Sequence, residues 1–280
     1  METKLVFREQ NYKKCNFHTH SLFCDGKNTL EQMVQSAIDR NFDQLGFSSH
    51  TMFPGKTNWH MCPENYFTYI LLVKKLAKKH KGVIDIFCGL EADYIPGFTV
   101  PSYKTYELFD IDFMIGSVHY IYFDKGKRFT IDGPVDEVAQ GLNEVFAGDG
   151  KKYVQTYFEL QKQMAKNFDF DIIAHPDLVR KRNDVLHFFN ENDGWYKREL
   201  EDAAKVFAQS GKIVEINTGG MARDDLKDAY PSDDFLRLLY KYDVPIMINS
   251  DSHSFETLDF AFDFAKTKAQ NIGYDKFMCF

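Results

Sequence analysis

Residues 13–26, KKCNFHTHSLFCDG, decide the fold of this chain. A short run ends in two histidines separated by one threonine, and the turn that follows carries a carboxylate. Because alternate residues of a β-strand face the same side, His18 and His20 are expected to point in one direction, with Asp25 close by. Residues of this kind at the end of a strand predict a polar site at one edge of a sheet.

The same arrangement recurs along all 280 residues. Short apolar or β-branched runs stop abruptly at polar residues, and segments with helical periodicity separate them. The seven strand candidates are KKCNFHTH (13–20), DQLGFSSH (43–50), VIDIFCGLEADY (83–94), IDFMIGSVHY (111–120), FDIIAHPD (170–177), KIVEINTGG (212–220) and VPIMINSDSH (244–253).

Helices are predicted in most of the gaps between these strands. Residues 29–41 place apolar side chains at helical spacing, with Thr29 as the N-cap. One or two longer helices are expected over residues 135–167, and only residues 95–110 lack a convincing helix. The remaining helical patterns cover residues 64–82, 195–211 and 233–243.

Strands that alternate with helices predict an α/β fold built on parallel strands. Six of the seven candidates carry His, Asp or Glu at their C-terminal side, and the sixth along the chain ends in Asn-Thr-Gly. In a β/α barrel, catalytic groups from several strands collect at the carboxyl ends, here called the mouth. An open doubly wound sheet gathers its site at one switch point instead. We therefore predict a distorted (β/α)7 TIM-like barrel, with residues 1–280 as a single domain.

Imidazole and carboxylate groups at the mouth predict a metal site. This combination suits Zn, Mn or Fe, and two or three ions would share so many ligands. The candidate ligands are His18, His20, Asp25, His50, Glu91, His119, His175, Asp251 and His253. Any one of them alone has an ordinary structural explanation, such as a helix cap for Asp25, but the joint pattern does not. The histidines that follow no strand, His60, His80 and His187, are expected at the surface, with His60 in a loop that could reach over the mouth.

Composition narrows the class of protein. The net charge is −7 and the basic residues are spread, apart from VRKRN at 179–183, which argues against a nucleic-acid scaffold. The five cysteines are odd in number and form no CxxC pair, so a reducing compartment is expected. The sequence shows neither a secretory signal nor an apolar run of the roughly 18 residues that a membrane span needs. We expect a cytoplasmic protein with no membrane partner.

The motifs resemble those of the polymerase and histidinol phosphatase (PHP) family over nearly the whole chain. They occur in the family's order as HTHSLFCDG, SSHT, GLEADY, GSVHY, AHPD and NSDSH. Within the family the chain is most similar to the histidinol-phosphate phosphatases, in its length, in GSVHY and AHPDLVRK, and in EINTGG before the last motif. The resemblance implies the PHP fold, a distorted seven-stranded barrel with three metal ions, and hydrolysis of L-histidinol phosphate in histidine biosynthesis.

The resemblance also implies how the ligands are divided among three divalent ions. The first ion would take His18, His20, Glu91 and Asp251; the second would take Glu91, His119 and His175; and the third would take Asp25, His50 and His253. Many relatives have His where this chain has Asp25, and a carboxylate there could favour a harder ion such as Mn or Fe.

The expected substrate is a small phosphate monoester, whose charge metal ions would neutralise. Glu91 would bridge two ions, and Asp251 or His253 would protonate the leaving alcohol. Cations beside the cluster suit phosphate; the candidates are Arg180, Lys181, Arg182 and Arg223. Hydrogen bonds to the substrate are expected from Ser117 and Thr218. Candidates for the rest of the pocket are Phe23, Phe53, Trp59, Asp93 and Tyr94.

Three alternatives remain open at this point. A nucleotide phosphatase or exonuclease of the same family would want a basic groove, and the net charge of −7 does not favour it. An amidohydrolase-type enzyme would commonly use a bridging lysine, whereas Glu91 ends the corresponding strand here. A non-catalytic metal-binding module would be expected to have lost ligands. The sequence leaves the oligomeric state open.

Overall fold

The computed structural model describes residues 6–53, 57–122, 128–224 and 226–280. Numbered along the chain, its strands are β1 (Arg8–Gln10), β2 (Cys15–Asn16), β3 (Gln44–His50), β4 (Asp85–Asp93), β5 (Phe113–Ser117), β6 (Tyr120–Tyr122), β7 (Arg128–Thr130), β8 (Ile172–Ile173), β9 (Ile213–Asn217), β10 (Ile246–Asn249) and β11 (Phe277–Cys279). Its helices are α1 (Leu30–Asp39), α2 (Tyr66–Lys79), α3 (Val135–Phe146), α4 (Gly150–Asn167), α5 (Asn183–Leu186), α6 (Gly194–Ser210), α7 (Gly219–Asp224), α8 (Asp233–Lys241) and α9 (Phe262–Ile272).

The seven predicted strands form one parallel sheet in the order β10-β9-β8-β5-β4-β3-β2. The two outer strands approach each other beyond their ends, where Thr19 and Ser252 form a parallel bridge. The amide of His20 donates to the Ser252 carbonyl at 2.8 Å, and the Ser252 amide donates to the His18 carbonyl at 3.1 Å. This seam nearly closes the sheet, so the predicted seven-stranded barrel is confirmed.

Local signals explain where the helices begin and end. The Thr29 hydroxyl accepts from the Gln32 amide at 3.2 Å, and the Gln32 side-chain oxygen accepts from the Thr29 amide at 2.9 Å. These two bonds form a capping box at the start of α1. The long predicted segment 135–167 is two helices, because Ala147 and Gly148 both adopt positive φ between α3 and α4. Helix α6 ends at Gly211, whose φ of +67° suits glycine.

Inward-facing and outward-facing residues alternate along each strand. Outward residues such as Leu45 and Leu90 pack under the helices in the main hydrophobic core. Inward residues toward the amino ends of the barrel strands, together with Cys279, form a second apolar cluster, here called the floor. Its members are Cys15, Phe17, Phe87, Phe113, Ile115, Ile172, Ala174, Ile213, Met247 and Cys279. Phe113 occupies the space beside Gly89, where a Cβ would lie 2.4 Å from its ring, so glycine is required there.

Two small antiparallel ribbons add to the barrel. Strands β1 and β11 pair below the floor, where Phe7 stacks on Phe280 with ring centroids 3.9 Å apart. Strands β6 and β7 pair beside the mouth. Neither ribbon was predicted, and α9 was not predicted either. No helix in the described ranges is both long and apolar enough to span a membrane.

Candidate metal centre

Glu91, near the end of β4, lies at the centre of a buried polar cluster at the mouth. It is only 1% exposed. Five imidazole nitrogens surround its carboxylate, at 2.9 Å (His50 Nδ1), 3.2 Å (His18 Nε2), 3.4 Å (His175 Nε2), 3.6 Å (His20 Nε2) and 3.7 Å (His119 Nε2). One carboxylate thus contacts imidazoles from several parts of the barrel.

Asp251, just after β10, lies on the seam side of this cluster. Its Oδ1 is 3.2 Å from His20 Nε2 and 3.6 Å from His18 Nε2. Arg223 holds the carboxylate from the other side, with Nη2 2.8 Å from Oδ2 and Nη1 3.2 Å from Oδ1. The first and last motifs of the sequence therefore meet at one point.

Asp25 forms a third part of the cluster with two further histidines. Its Oδ2 lies 3.2 Å from His253 Nε2, and its Oδ1 lies 3.8 Å from both His50 Nε2 and His20 Nδ1. Ligand atoms of these four residues all lie within 4.8 Å of one another. An arrangement this tight can surround a single cation.

The structure brings all nine predicted ligands to the mouth. Its tight groups are His20, Asp25, His50 and His253; His18, His20 and Glu91; and His50, Glu91 and His119. His20 and His50 each belong to two groups, whereas the family resemblance assigns each to one ion. The division of ligands among individual ions therefore stays a prediction.

The donor set fits metal ions because its buried atoms lack other partners. Both carboxylate oxygens of Glu91, Nε2 of His18 and of His20, and Nδ1 of His50 are buried without a hydrogen bond. Unpaired buried polar atoms cost roughly 1–3 kcal/mol each. So many of them in one place indicate a group that binds there, and imidazole with carboxylate suits Zn, Mn or Fe.

Glu215 on β9 orients this cluster from below, and the sequence analysis missed it. Its carboxylate lies 3.0 Å from His18 Nδ1 and accepts the His175 amide at 2.9 Å. The side chains of Asn217 and Asn249 donate to it at 2.6 and 2.8 Å. A carboxylate on the far nitrogen of a ligating histidine fixes the ring's tautomer and direction.

Asp93 has the same role for His119. Its Oδ1 lies 2.8 Å from His119 Nδ1, and its Oδ2 lies 3.0 Å from His60 Nε2. Burial alone would lower the pKa of His119, but the carboxylates of Asp93 and Glu91 outweigh it and raise that pKa to about 10. The prediction that His60 is a surface residue is wrong, because its side chain is 3% exposed.

The bond from His60 to Asp93 anchors a loop that carries Trp59 over the mouth. The Trp59 ring lies 4.6 Å from the His50 ring and 5.5 Å from the His119 ring, nearly perpendicular to both. It stacks on Tyr120 with centroids 5.6 Å apart. Trp59 therefore forms an aromatic wall beside the ligands, as predicted for the pocket.

Protonation in the cluster follows from burial and neighbouring charge. Burial, with His253 and His50 nearby, lowers the pKa of His20 to about 3. Burial would raise the pKa of Glu91, but His50 and His18 hold it well below its ordinary value. Burial would lower the pKa of His18 and of His50, but nearby carboxylates outweigh it and raise both, so a bound cation would replace the protons on these imidazoles.

Two of the predicted ligands adopt unusual backbone conformations. Asp251 has φ of +49° and His175 has φ of +22°, values that residues other than glycine rarely adopt. Such residues persist only where surrounding contacts hold them, and they concentrate at functional sites. The Glu215 bond to the His175 amide is one such contact.

A cavity of about 320 Å³ opens directly onto the cluster. Its cationic side chains are Lys181 and Arg223, and its aromatic ones include Trp59 and Tyr230. Gly219 and Gly220 begin α7 beside Asp251; a Cβ on Gly219 would lie 3.0 Å from the Arg223 guanidinium. The chain is thus shaped to bring Arg223 to the cluster.

Two predicted phosphate ligands lie away from this cavity. Arg180 donates to Glu191 at 2.8 Å and lies 3.5 Å from Asp177. Arg182 donates to the Gly133 carbonyl at 2.7 Å. Neither lines the cavity. Both guanidiniums are held by other parts of the chain, so the structure does not support the phosphate-binding roles predicted for them.

Five more predicted side chains also contact the protein rather than the cavity. The Ser117 hydroxyl donates to Asp93 at 3.4 Å, and the Thr218 hydroxyl donates to the Phe260 carbonyl at 2.7 Å. Phe23 packs against Tyr69 at 5.4 Å. The last two, Phe53 and Tyr94, are buried, respectively against Tyr120 and beside Gln163. None of them lines the cavity.

The comparisons with known proteins agree with this geometry. The PHP domain family model matches residues 16–219. A Deinococcus radiodurans protein named "Probable histidinol-phosphatase" is 28% identical over 262 residues, covering 92% of this chain and 94% of that protein. The "Histidinol-phosphatase" of Bacillus subtilis is 23% identical over 273 residues, covering 90% of this chain and 97% of its own.

Two solved structures share the fold. A Listeria monocytogenes protein proposed to be a histidinol phosphatase aligns with a TM-score of 0.77 at 20% identity, covering 90% of this chain and 99% of that one. The Lactococcus lactis histidinol phosphate phosphatase, complexed with Zn, L-histidinol and phosphate, aligns with a TM-score of 0.65 at 19% identity, covering 94% of each chain.

Proposed function

The chain belongs to the PHP domain family, and from this premise we propose that it is a metal-dependent phosphomonoesterase that hydrolyses L-histidinol phosphate to L-histidinol and phosphate. Relatives from Deinococcus radiodurans and Bacillus subtilis that carry the histidinol-phosphatase name align over at least 90% of this chain. Their coverage supports assigning the same activity to this chain.

One observation carries the proposal. A buried cluster of imidazoles and carboxylates centred on Glu91 shares a cavity with two cationic side chains, Lys181 and Arg223. Metal ligands suit the activation of water, and cations suit a phosphate dianion. The cavity volume of about 320 Å³ matches a small molecule better than a polymer.

We further propose three divalent ions of Zn, Mn or Fe, divided among the nine ligands as the family resemblance implies. When bound, such ions would lower the pKa of water toward neutrality and neutralise charge on the phosphoryl oxygens. The buried ligand atoms without hydrogen bonds support this assignment. Zn is named in the Lactococcus lactis structure. Elemental analysis of purified protein would give the number and identity of the ions.

The cationic residues would orient the substrate. Lys181 and Arg223 would contact phosphoryl oxygens and turn the ester toward the cluster, while Trp59 would cover one side and exclude water. Arg223 also holds Asp251 by two contacts, at 2.8 and 3.2 Å. The same guanidinium would therefore link the phosphate to a metal ligand.

The leaving alcohol needs a proton, and His253 is the better of the two predicted donors. Asp251 is stabilised as an anion by Arg223, so it is poorly suited to carry a proton. His253 lines the cavity and is more exposed, with 15% of its side chain accessible against 8% for Asp251. Arg223 donates to His253 Nδ1 at 2.8 Å, so Nε2, 3.2 Å from Asp25 Oδ2, is the nitrogen that would carry the proton.

The proposal treats residues 1–280 as one unit in the cytoplasm. One sheet contains strands that run from Cys15 to Asn249, which supports a single domain. The cytoplasmic location rests on the cysteines of the sequence, which are odd in number and form no CxxC pair.

The decisive experiment measures phosphate release from L-histidinol phosphate, AMP and short oligonucleotides by wild-type enzyme and by Glu91→Gln. We expect the wild type to prefer L-histidinol phosphate and the variant to be inactive on all three. A preference for AMP or oligonucleotides would favour the nucleotide phosphatase or exonuclease alternative. Full activity of the Glu91 variant would remove the metal cluster from the mechanism.

A further inference from the structure

The wall of the cavity contains one carboxylate whose role the proposed reaction does not explain. Of the described residues, three carboxylates line this cavity: Asp25, Asp132 and Asp251. Asp25 and Asp251 each contact cluster histidines at 3.2 Å. Asp132 instead lies 3.4 Å from Lys181 Nζ, across the cavity wall.

A negative charge at this place is unfavourable for the phosphate alone. Phosphate monoesters carry close to two negative charges, and like charges at short range repel in a partly buried site. An ester that brings its own positive charge would convert this repulsion into attraction. A carboxylate here therefore discriminates between phosphate esters with and without a cation.

The chain fixes the position of Asp132. The Ile131 amide, one residue earlier, donates to the His119 carbonyl at 2.8 Å. Arg182 donates to the carbonyls of Asp132 and Gly133, at 3.2 and 2.7 Å. These bonds tie the turn to the strand end that carries a cluster histidine. A group held this firmly can select a ligand by position.

The charge state suits the same role. Burial would raise the pKa of Asp132, but Lys181 and His119 outweigh it and lower that pKa. The side chain is still 28% exposed toward the cavity, so a ligand can reach it. An ionised and accessible carboxylate is a ready acceptor for an ammonium group.

Resting on the proposed function, we propose that Asp132 is a specificity residue that binds the ammonium of a 2-aminoalkyl phosphate whose phosphate group lies against Lys181. In such esters the amine nitrogen is roughly 3–4 Å from the bridging ester oxygen, given ordinary bond lengths. Lys181 Nζ and Asp132 Oδ2 lie side by side, 3.4 Å apart, so one short ester can place its phosphate against the cation and its ammonium against the carboxylate. L-histidinol phosphate is an ester of this class.

The test compares two esters that differ only in the amine. L-Histidinol phosphate and 3-(imidazol-4-yl)propyl phosphate are hydrolysed by wild type, Asp132→Asn and Asp136→Asn. Asp136 is an exposed carboxylate in the first turn of α3 and serves as the matched control. For Asp132→Asn we expect kcat/KM on the amino ester to fall about 10- to 100-fold, mainly through KM. The deaminated ester should be hydrolysed as well as before or better, and Asp136→Asn should match the wild type.

Equal losses on both esters would show that Asp132 only orients Lys181, and that result overturns the proposal. So does an unchanged ratio between them. A second pair, O-phosphoethanolamine and ethyl phosphate, is measured by calorimetric binding as well as turnover. If L-histidinol phosphate is not a substrate, the proposed function fails. The second pair of esters still measures whether Asp132 selects an ester that carries an ammonium group. Absence of a wild-type preference for O-phosphoethanolamine, or its survival in Asp132→Asn, then contradicts the proposal.

Discussion

The floor and the mouth of the barrel occupy the same strands and the same inward-facing positions, yet they differ in every chemical respect. On β4, Phe87 belongs to the apolar floor and Glu91, four residues later, to the ligand cluster. On β9, Ile213 and Glu215 show the same change within two residues. The floor fills its space with rings that contact one another, such as Phe17 and Phe113 at 5.4 Å.

The difference shows which region contributes stability and which contributes function. Burial of the aromatic floor contributes stability without any partner from outside the chain. The mouth leaves buried nitrogen and oxygen atoms without hydrogen bonds, which costs stability until a bound group contacts them. Substitutions in the two regions should therefore be separable, with floor variants losing stability and mouth variants losing function.

The largest expected effect is at the mouth. Glu91→Gln should lower kcat/KM on L-histidinol phosphate by about 10⁴-fold, or roughly 5 kcal/mol, because its carboxylate contacts five imidazoles. The isosteric amide should preserve the fold, which circular dichroism would verify, and elemental analysis should show lost metal. Wild-type turnover with full metal content would break the comparison at its centre.

A floor variant should behave in the opposite way. Phe113→Ala should reduce the free energy of unfolding by about 3–5 kcal/mol, since it leaves a cavity among buried rings. Denaturant titration measures the loss, and metal content per folded molecule should stay unchanged. Loss of metal at temperatures where the variant is still folded would show that floor and mouth are coupled.

Glu215 lies between the floor and the mouth, and a substitution there tests which of the two regions it serves. Glu215→Gln should weaken metal binding by about 10- to 100-fold, because the carboxylate orients His18 and the backbone of His175. Competition with a chromogenic chelator would measure this. Unchanged metal affinity, combined with a large loss of unfolding free energy, would assign Glu215 to the scaffold instead.

The smallest expected effect is on the cavity wall. Lys181→Ala should weaken inhibition by inorganic phosphate about 10-fold, since one charged contact is lost. Lys227→Ala, which removes an exposed lysine, is the matched control. Equal inhibition constants for both variants would remove Lys181 from the phosphate site and leave Arg223 as the predicted contact.

Sequence patterns predicted the barrel and the nine residues at its mouth because strand ends and their ligands are local features. The contacts around Glu215 and His60 were missed because they depend on tertiary packing. Glu215 did leave a signal, since a charged residue inside the apolar run KIVEIN needs a buried partner. For His60 the sequence indicated only a loop that could reach over the mouth, because the contact with Asp93 forms only after the loop folds back. Pairing of β1 with β11 joins distant parts of the chain and has no local pattern.

The seam between the first and last strands of the sheet gives the ligand cluster a mechanical role. His18 and His20 flank Thr19 on one side of the Thr19–Ser252 bridge, and Asp251 and His253 flank Ser252 on the other. Cations bound by residues on both sides would link the two strands across the seam. Removal of the cations should increase local opening at the seam. Amide hydrogen exchange at His20 and Ser252 should then become faster before exchange in the remaining strands does.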